Sequence, residues 1–267
     1  MNRVDPLWKV VQEGLATYHP DRIEDHPYVR FYMLNEGRFP DFLGLAEQAH
    51  PEVYDELMRR YRQRCSGALD EEAPGRISPT SRTAQHFYYL VRLVAKLGSP
   101  EPHRICEIGG GYGNMMRMLV QLGLCRSYHV VDIAGVVDLQ RRYAARVLDA
   151  GQLARTRVLN VEDEKDVVEL SATRYDVALS FFAVSEVPYE MRQWYLERVL
   201  FPASAVYLVG QQRWRAQPVG EHLIGALAER FSLDKYDFFA PSDQESPTFE
   251  LFADRRADGA DSVPGRP

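Results

Sequence analysis

Residues 104–114 read Arg-Ile-Cys-Glu-Ile-Gly-Gly-Gly-Tyr-Gly-Asn, and this stretch decides the fold. A short apolar run at 104–108 passes directly into a glycine-rich turn, and the segment 115–122 that follows is typical of a helix. Glycine lets the backbone approach a ligand where a Cβ atom would block it. The stretch therefore predicts a strand, a ligand-binding turn and a helix in an open α/β sheet.

The chain beyond this stretch keeps alternating between strands and helices. Such alternation implies parallel strands joined by right-handed crossovers. A closing pair of strands is predicted after the last helix. The predicted strands are 128–133, 157–161, 176–182, 205–209, 232–239 and 248–253, and the predicted helices are 136–148, 188–200 and 219–230.

The N-terminal part of the chain is predicted to be helical. Residues 51–64 have apolar residues at helical spacing, and a second helix at 81–97 ends at Gly98. We therefore divide the chain into a helical extension (1–80), an α/β domain (81–253) and a polar tail (254–267) that is expected to be disordered. The extension either covers the ligand or forms the surface of a homodimer, and the sequence leaves both open.

The composition sets broad limits on function. The chain has 267 residues, 45% of them hydrophobic, and a net charge of −6. This length suits one large domain with an extension, and an acidic chain is a poor candidate for nucleic-acid binding. No apolar run approaches the roughly 20 residues of a membrane span, and the N-terminus does not have the pattern of a signal peptide. We expect a cytoplasmic protein with neither a nucleic acid nor a membrane as partner.

Two cofactor classes compete for the glycine-rich turn. A dinucleotide requires Gly-x-Gly-x-x-Gly, but Asn114 occupies the position of the last glycine. The glycines instead lie at 109, 111 and 113, with Glu107 two residues before the first. This arrangement resembles the first motif of class I S-adenosylmethionine-dependent methyltransferases. The resemblance implies that Glu107 contacts the amino-acid end of the cofactor, directly or through water, where a carboxylate suits an ammonium and a sulfonium.

A second acid supports the same cofactor. Asp132 ends the second predicted strand, 23 residues after Gly109, where a carboxylate can accept two hydrogen bonds from ribose hydroxyls. Alternatively, Glu107 could interact with a helix dipole and Asp132 could cap the next helix. The cofactor-binding residues that we predict from the resemblance are Glu107, Gly109, Gly110, Gly111, Gly113, Asp132, Ile133, Glu162, Asp163 and Ser180.

The segments 130–148 and 175–200 resemble a narrower family, the bacterial sugar O-methyltransferases. Asp132, Ile133, Gln140 and Tyr143 match its pattern after strand two. After strand four Glu186 is kept, whereas the family's Asn and Ser are replaced. The resemblance implies a Rossmann-like seven-stranded, mostly parallel sheet in the order 3-2-1-4-5-7-6, with the last strand antiparallel. It also implies a biosynthetic enzyme that methylates a hydroxyl of a sugar or sugar-bearing metabolite.

Other functions remain open at this stage. They are N- or O-methylation of another small natural product, nicotinamide-dependent oxidoreduction, and a catalytically silent binding protein that keeps the fold.

Two residues are predicted to be catalytic. Methyl transfer requires alignment of donor and acceptor, and a hydroxyl acceptor is helped by a base. Glu186 follows strand four and is our first candidate, although it could instead cap the helix that starts near Pro188. His222 is the second candidate, but a lone histidine is also typical of a structural residue. Acceptor hydroxyls could be bound after strand five by Gln211, Gln212 and Arg213. His86, in the helix before strand one, is a weaker candidate, on the side where the resemblance implies a cover over the cofactor. No compact metal-ligand motif is visible, and we predict no metal.

Overall fold

The computed structural model describes residues 13–14, 29, 40–70, 73, 75–98, 102–238 and 247–256. The predicted disordered tail from residue 257 onward and most of residues 1–39 lie outside the described residues. Among the described residues, no helix has both the length and the apolarity needed to cross a membrane.

Seven strands form one sheet in the order β3-β2-β1-β4-β5-β7-β6. The strands β1 to β5 pair in parallel, and β7 runs antiparallel to both β5 and β6. The predicted order and the antiparallel last strand are confirmed. The strands are β1 (His103–Ile108), β2 (Cys125–Asp132), β3 (Thr156–Asn160), β4 (Val177–Phe181), β5 (Ala205–Gln211), β6 (Phe231–Phe238) and β7 (Thr248–Arg255).

Helices cover both faces of the sheet and bury two large apolar cores. One face carries α1 to α5, and the other carries α7, α8 and α9. The helices are α1 (Phe42–Ala49), α2 (Pro51–Arg64), α3 (Arg82–Leu97), α4 (Asn114–Gln121), α5 (Ala134–Val147), α6 (Ala150–Leu153), α7 (Glu164–Ala172), α8 (Tyr189–Tyr195) and α9 (Val219–Ala228). A π-turn, Leu196–Leu200, continues α8.

The ends of α3 show why the sequence could place this helix. Ser81 Oγ accepts a hydrogen bond from the Ala84 amide at 3.1 Å, and this bond satisfies one amide of the first helical turn. At the other end, Gly98 adopts φ 62°, a left-handed conformation that ends the helix. The helix at 51–64 also has the predicted bounds.

Several other boundaries differ from the predictions. The second strand begins at Cys125, three residues before the predicted start, and the helix predicted over 188–200 is divided between α8 and the π-turn. The helix α7 was not predicted. Leu170 is its only buried residue, so its apolar face is too narrow to give a clear helical period. The last strand extends to Arg255, into the segment that was expected to be disordered.

Candidate functional site

The glycine-rich turn between β1 and α4 lies against the end of β4. Gly109 adopts φ 73°, and a Cβ atom built on it would lie 2.1 Å from the Cβ of Ala183. Gly111 adopts φ 57°, and a Cβ atom built there meets no described atom within 4 Å. Gly109 therefore permits close packing of the turn on β4. Gly111 lies beside space that holds no described atom and that a ligand can fill.

Glu107, the last but one residue of β1, lies beneath this turn. Glu107 is only 2% exposed, and its Oε2 accepts a hydrogen bond from the Tyr128 hydroxyl at 2.8 Å. The same oxygen is 2.9 Å from a Cβ atom built on Gly110. Glu107 thus supports the turn from below, with a charge close to the backbone that a ligand would contact.

Asp132, at the end of β2, is held by two hydrogen-bond donors. Its Oδ1 accepts from the Ile133 amide at 2.9 Å, and its Oδ2 accepts from Gln140 Nε2 at 2.9 Å. The nearby Gly110 amide lowers the pKa of the Asp132 carboxyl group. Gln140 Nε2 lies 2.9 Å from the Gly111 carbonyl oxygen as well, so one buried amide ties the turn to the tip of β2.

Glu107 and Asp132 are electrostatically coupled. Burial raises the pKa of Glu107 to about 7, the hydrogen bond from Tyr128 opposes this rise, and the neighbouring charge of Asp132 adds to it. Burial also raises the pKa of Asp132 to about 7, against the hydrogen bonds that it accepts. Two carboxyl groups with raised pKa values at one turn favour a ligand that brings hydrogen-bond donors or a positive charge.

The backbone after β4 is strained. Phe182 adopts φ 72° and ψ −38°, a backbone conformation that residues other than glycine rarely adopt. Ser185 stabilises it, because its hydroxyl donates to the Phe182 carbonyl oxygen at 2.6 Å. The Ser185 hydroxyl also accepts from the Gln211 amide at 3.2 Å, which joins the ends of β4 and β5. Such strain is typical of functional sites in which surrounding contacts fix the backbone.

Glu186 follows this strained turn and makes no capping hydrogen bond to α8. Pro188 is the capping residue of α8, and among the described residues no side chain caps this helix. Instead, Glu186 Oε1 accepts a hydrogen bond from Gln211 Nε2 at 3.2 Å. Burial raises the pKa of Glu186 to about 7, and the positive charge of Arg82 opposes the rise. A carboxyl group with this pKa can receive a proton near neutral pH.

The other predicted site residues have less direct positions. His222 Nε2 lies 2.8 Å from Gln193 Nε2, and its ring packs on Tyr189, so its contacts are with α8. Asp163 caps α7 through the Lys165 amide at 2.8 Å, and Glu162 beside it is exposed.

Ser180 and Gly113 have structural contacts. The Ser180 hydroxyl is fully buried, donates to the Ile108 carbonyl oxygen at 3.1 Å and accepts from the Val184 amide at 3.1 Å. It therefore connects β1 to the turn after β4. Gly113, at φ 101°, is the residue before α4.

The face of α3 that carries the predicted weaker candidate His86 completes the site, together with Arg82, for which the sequence predicted no role. Arg82 and His86 lie one turn apart on α3, and the charge of Arg82 affects the pKa of both His86 and Glu186. The His86 ring lies 6.5 Å from the ring of Phe181, the last residue of β4. Spacing within α3 identifies these two residues as neighbours, but only the packed fold places them beside β4. The described residues contain no group of three His, Cys, Asp or Glu side chains suited to a metal ion.

Comparisons with known proteins find similarity of structure alone. No family model matches the chain. No curated protein sequence matches it. The methyltransferase domain of a bacterial Hen1 protein aligns with a TM-score of 0.49 and 18% identity, over 63% of this chain and 97% of that one.

Two further solved structures align in the same way. A glycopeptide N-methyltransferase aligns with a TM-score of 0.47 and 11% identity, over 65% of this chain and 90% of that one. A Pyrococcus horikoshii protein described as an RNA methyltransferase aligns with a TM-score of 0.45 and 16% identity, over 76% of this chain and 96% of that one. The assignment of a function therefore depends on this chain's own residues.

Proposed function

We propose that this protein is an S-adenosylmethionine-dependent O-methyltransferase that acts on a hydroxyl group of a sugar or a sugar-bearing metabolite. The observation that carries the proposal is the pair of carboxyl groups at the glycine turn. Glu107 lies beneath the turn, Gln140 ties Asp132 to it, and Gly111 borders space that holds no described atom.

The residues at the turn fit this cofactor. Asp132 has the position and the acceptor atoms to bind ribose hydroxyls, and the negative charge of Glu107 suits an ammonium group nearby. When bound, S-adenosylmethionine supplies an activated methyl group. Both acids would be bound in the charged state, since hydrogen bonds and an opposite charge lower the pKa of a carboxyl group.

The ends of β4 and β5 supply the groups for the acceptor. Glu186 would accept the proton that the acceptor hydroxyl loses, with Gln211 holding one carboxylate oxygen in place at 3.2 Å. Its pKa of about 7 is suited to this role near neutral pH. Alignment of the acceptor by the surrounding side chains would provide the remaining acceleration.

Calorimetric titration tests the cofactor assignment. We expect S-adenosylmethionine and S-adenosylhomocysteine to bind the purified full-length chain, and we expect NADH not to bind. Binding of NADH without binding of either sulfur nucleoside would contradict the proposal.

A transfer assay tests the acceptor class. Methyl-labelled cofactor is incubated with a panel of free sugars, glycosides and sugar nucleotides, and with phenols and amines as controls. Incorporation of label into a sugar hydroxyl is the expected result. Transfer only to the phenols or amines would keep the cofactor assignment and reject the sugar.

A further inference from the structure

A buried chain of hydrogen bonds joins the N-terminal segment, α3 and α4. We call Asp70, Thr83, Asn114, Arg117 and His86 the polar chain. Thr83 donates to Asp70 through its hydroxyl and through its amide, the latter at 2.9 Å. Asn114 Nδ2 lies 3.0 Å from Thr83 Oγ1 and 3.1 Å from His86 Nδ1, and Arg117 Nε lies 3.0 Å from Asn114 Oδ1. Three members of the chain are fully buried: Thr83, Asn114 and Arg117.

The two ends of the polar chain fix the direction of every hydrogen bond in it. Arginine only donates, so the Asn114 atom that faces Arg117 must be its carbonyl oxygen. A carboxylate only accepts, so the Thr83 hydroxyl donates to Asp70 and its oxygen is left to accept from Asn114. The two N–H groups of the Asn114 amide are therefore directed to Thr83 and to His86 Nδ1.

This direction selects one tautomer of His86. Because Nδ1 accepts a hydrogen bond from Asn114, the ring proton is on Nε2. A proton on Nδ1 would set two N–H groups against each other. Burial first, and then the charges of Arg82 and Arg117, lower the pKa of His86 to about 3, so the ring stays neutral. At neutral pH His86 is thus a hydrogen-bond donor at Nε2 and cannot act there as a base.

Within the polar chain the His86 ring bonds only through Nδ1, so Nε2 is its remaining donor. The ring is partly exposed. The ring lies near Phe181 at the end of β4, five residues before Glu186. The charged groups that act on the ring, Arg82 and Arg117, are both positive.

We propose that His86 is an acceptor-binding residue, held by Asn114 as a donor at Nε2, and that it favours acceptors with an oxygen lone pair over protonated amines. The inference rests on the proposed function and refines it. A fixed donor beside a positive guanidinium attracts a hydroxyl, carbonyl or carboxylate oxygen and repels an ammonium group. Asn114 is then a positioning residue that acts through His86.

Nitrogen NMR of the full-length protein tests the tautomer. The protein is labelled with ¹⁵N-histidine, saturated with S-adenosylhomocysteine and examined near neutral pH, and the His86 signals are assigned by their loss in His86→Gln. We expect an unprotonated Nδ1 and a protonated Nε2. A protonated Nδ1, an imidazolium, or averaging of the two tautomers would overturn the inference on the wild-type protein alone.

The variant Asn114→Asp tests the cause. It places an oxygen acceptor where the donor N–H was, so we expect the His86 proton to move to Nδ1. His129, whose Nδ1 lies 2.9 Å from the Tyr175 hydroxyl, is the internal control and should not change. An unchanged His129 signal shows that the variant is folded. If His86 keeps its tautomer in that folded variant, the role of Asn114 is overturned.

Two matched probes test the preference for oxygen. Methyl β-D-glucopyranoside and its 2-amino-2-deoxy analogue are titrated into the labelled complex, and the His86 Nε2–H signal is followed. We expect the glucoside to shift this signal and the ammonium analogue to shift it less. No shift with either probe, or an equal shift with both, would overturn the assignment.

Kinetics separate this inference from the proposed function. For an accepted sugar, His86→Phe should raise KM by about 3- to 10-fold, the value of one ordinary hydrogen bond, with kcat kept and partial recovery in His86→Gln. A fall in kcat with unchanged KM would overturn it. Wild-type protein that binds no cofactor in calorimetry would reject the proposed function, whereas intact cofactor binding with the wrong tautomer would reject only this inference.

Discussion

The tips of β1 and β2 and the tips of β4 and β5 hold their carboxyl groups in different ways. Glu107 and Asp132 are fixed by donors that come from residues 104–140, a single continuous stretch of chain. Glu186 is bonded to Gln211 and faces Arg82, so its surroundings come from three distant segments. The half of the site that we propose for the cofactor is local in sequence, whereas the half that we propose for the acceptor exists only in the packed fold.

The largest expected effect concerns the acceptor half. Glu186→Gln keeps the size of the side chain and removes its ability to accept a proton, so we expect kcat for methyl transfer to fall by about 10²- to 10⁴-fold. Cofactor binding, measured by calorimetry, should not change. Glu190→Gln, at an exposed acid in the first turn of α8, is the matched control. A variant with wild-type kcat would show that Glu186 is not the base.

The next effect concerns the contact between the two halves. Gly109→Ala adds a Cβ atom at 2.1 Å from that of Ala183 and at a positive φ, so we expect a loss of about 2–5 kcal/mol in the free energy of unfolding. Gly111→Ala has the positive φ without the clash and should cost only about 1–2 kcal/mol.

The double variant Gly109→Ala/Ala183→Gly should recover the part due to the clash. Urea denaturation measures all four proteins. Equal costs for the two single variants would disprove the close contact.

A third prediction concerns the cofactor half alone. Asp132→Ala removes the acceptor for two hydrogen bonds to a charged group, so we expect affinity for S-adenosylhomocysteine to fall by about 100-fold. Asp138→Ala removes an exposed acid from the start of α5, the helix that follows β2, and should leave affinity unchanged. Equal affinity in both variants would show that Asp132 does not bind the cofactor.

The last prediction is a pH dependence. The folded-state pKa of Asp132 is about 7, above its ordinary value, so the folded state holds this proton more tightly than the unfolded state does. Its contribution to the free energy of unfolding is therefore present at low pH and lost as the pH rises toward 7. Asp132→Asn should make that free energy fall less steeply with pH than in the wild type. Identical slopes in denaturation series across this range would contradict the raised pKa.

The local half of the site is the half that the sequence could predict. The glycine spacing and Asp132 lie within one strand–turn–helix unit and its neighbour, and the order of the sheet followed from the resemblance that they support. The roles of Arg82 and Ser185 could not be predicted, because the contacts that define them join residues from distant parts of the chain. Whether Glu186 makes a capping hydrogen bond to α8 could be read only from the structure, in which α8 begins after Pro188.

Asn114 is informative in the sequence and in the structure for different reasons. In the sequence it counted only against a dinucleotide, since it replaces a glycine. In the structure it is fully buried and determines the orientation of the polar chain. A small side chain at this position would leave the Arg117 guanidinium without one of its acceptors, which explains why the helix α4 begins with an amide.

The buried guanidinium of Arg117 also limits how the protein can be shortened. It donates to Tyr61 Oη at 2.9 Å and to the Ser66 carbonyl oxygen at 3.2 Å, both in the N-terminal segment. A chain cut at residue 80, the boundary suggested by the sequence, would leave this cation in the interior with two of its four acceptors gone. Helices that look like a detachable cover are then part of the packed interior of the α/β fold.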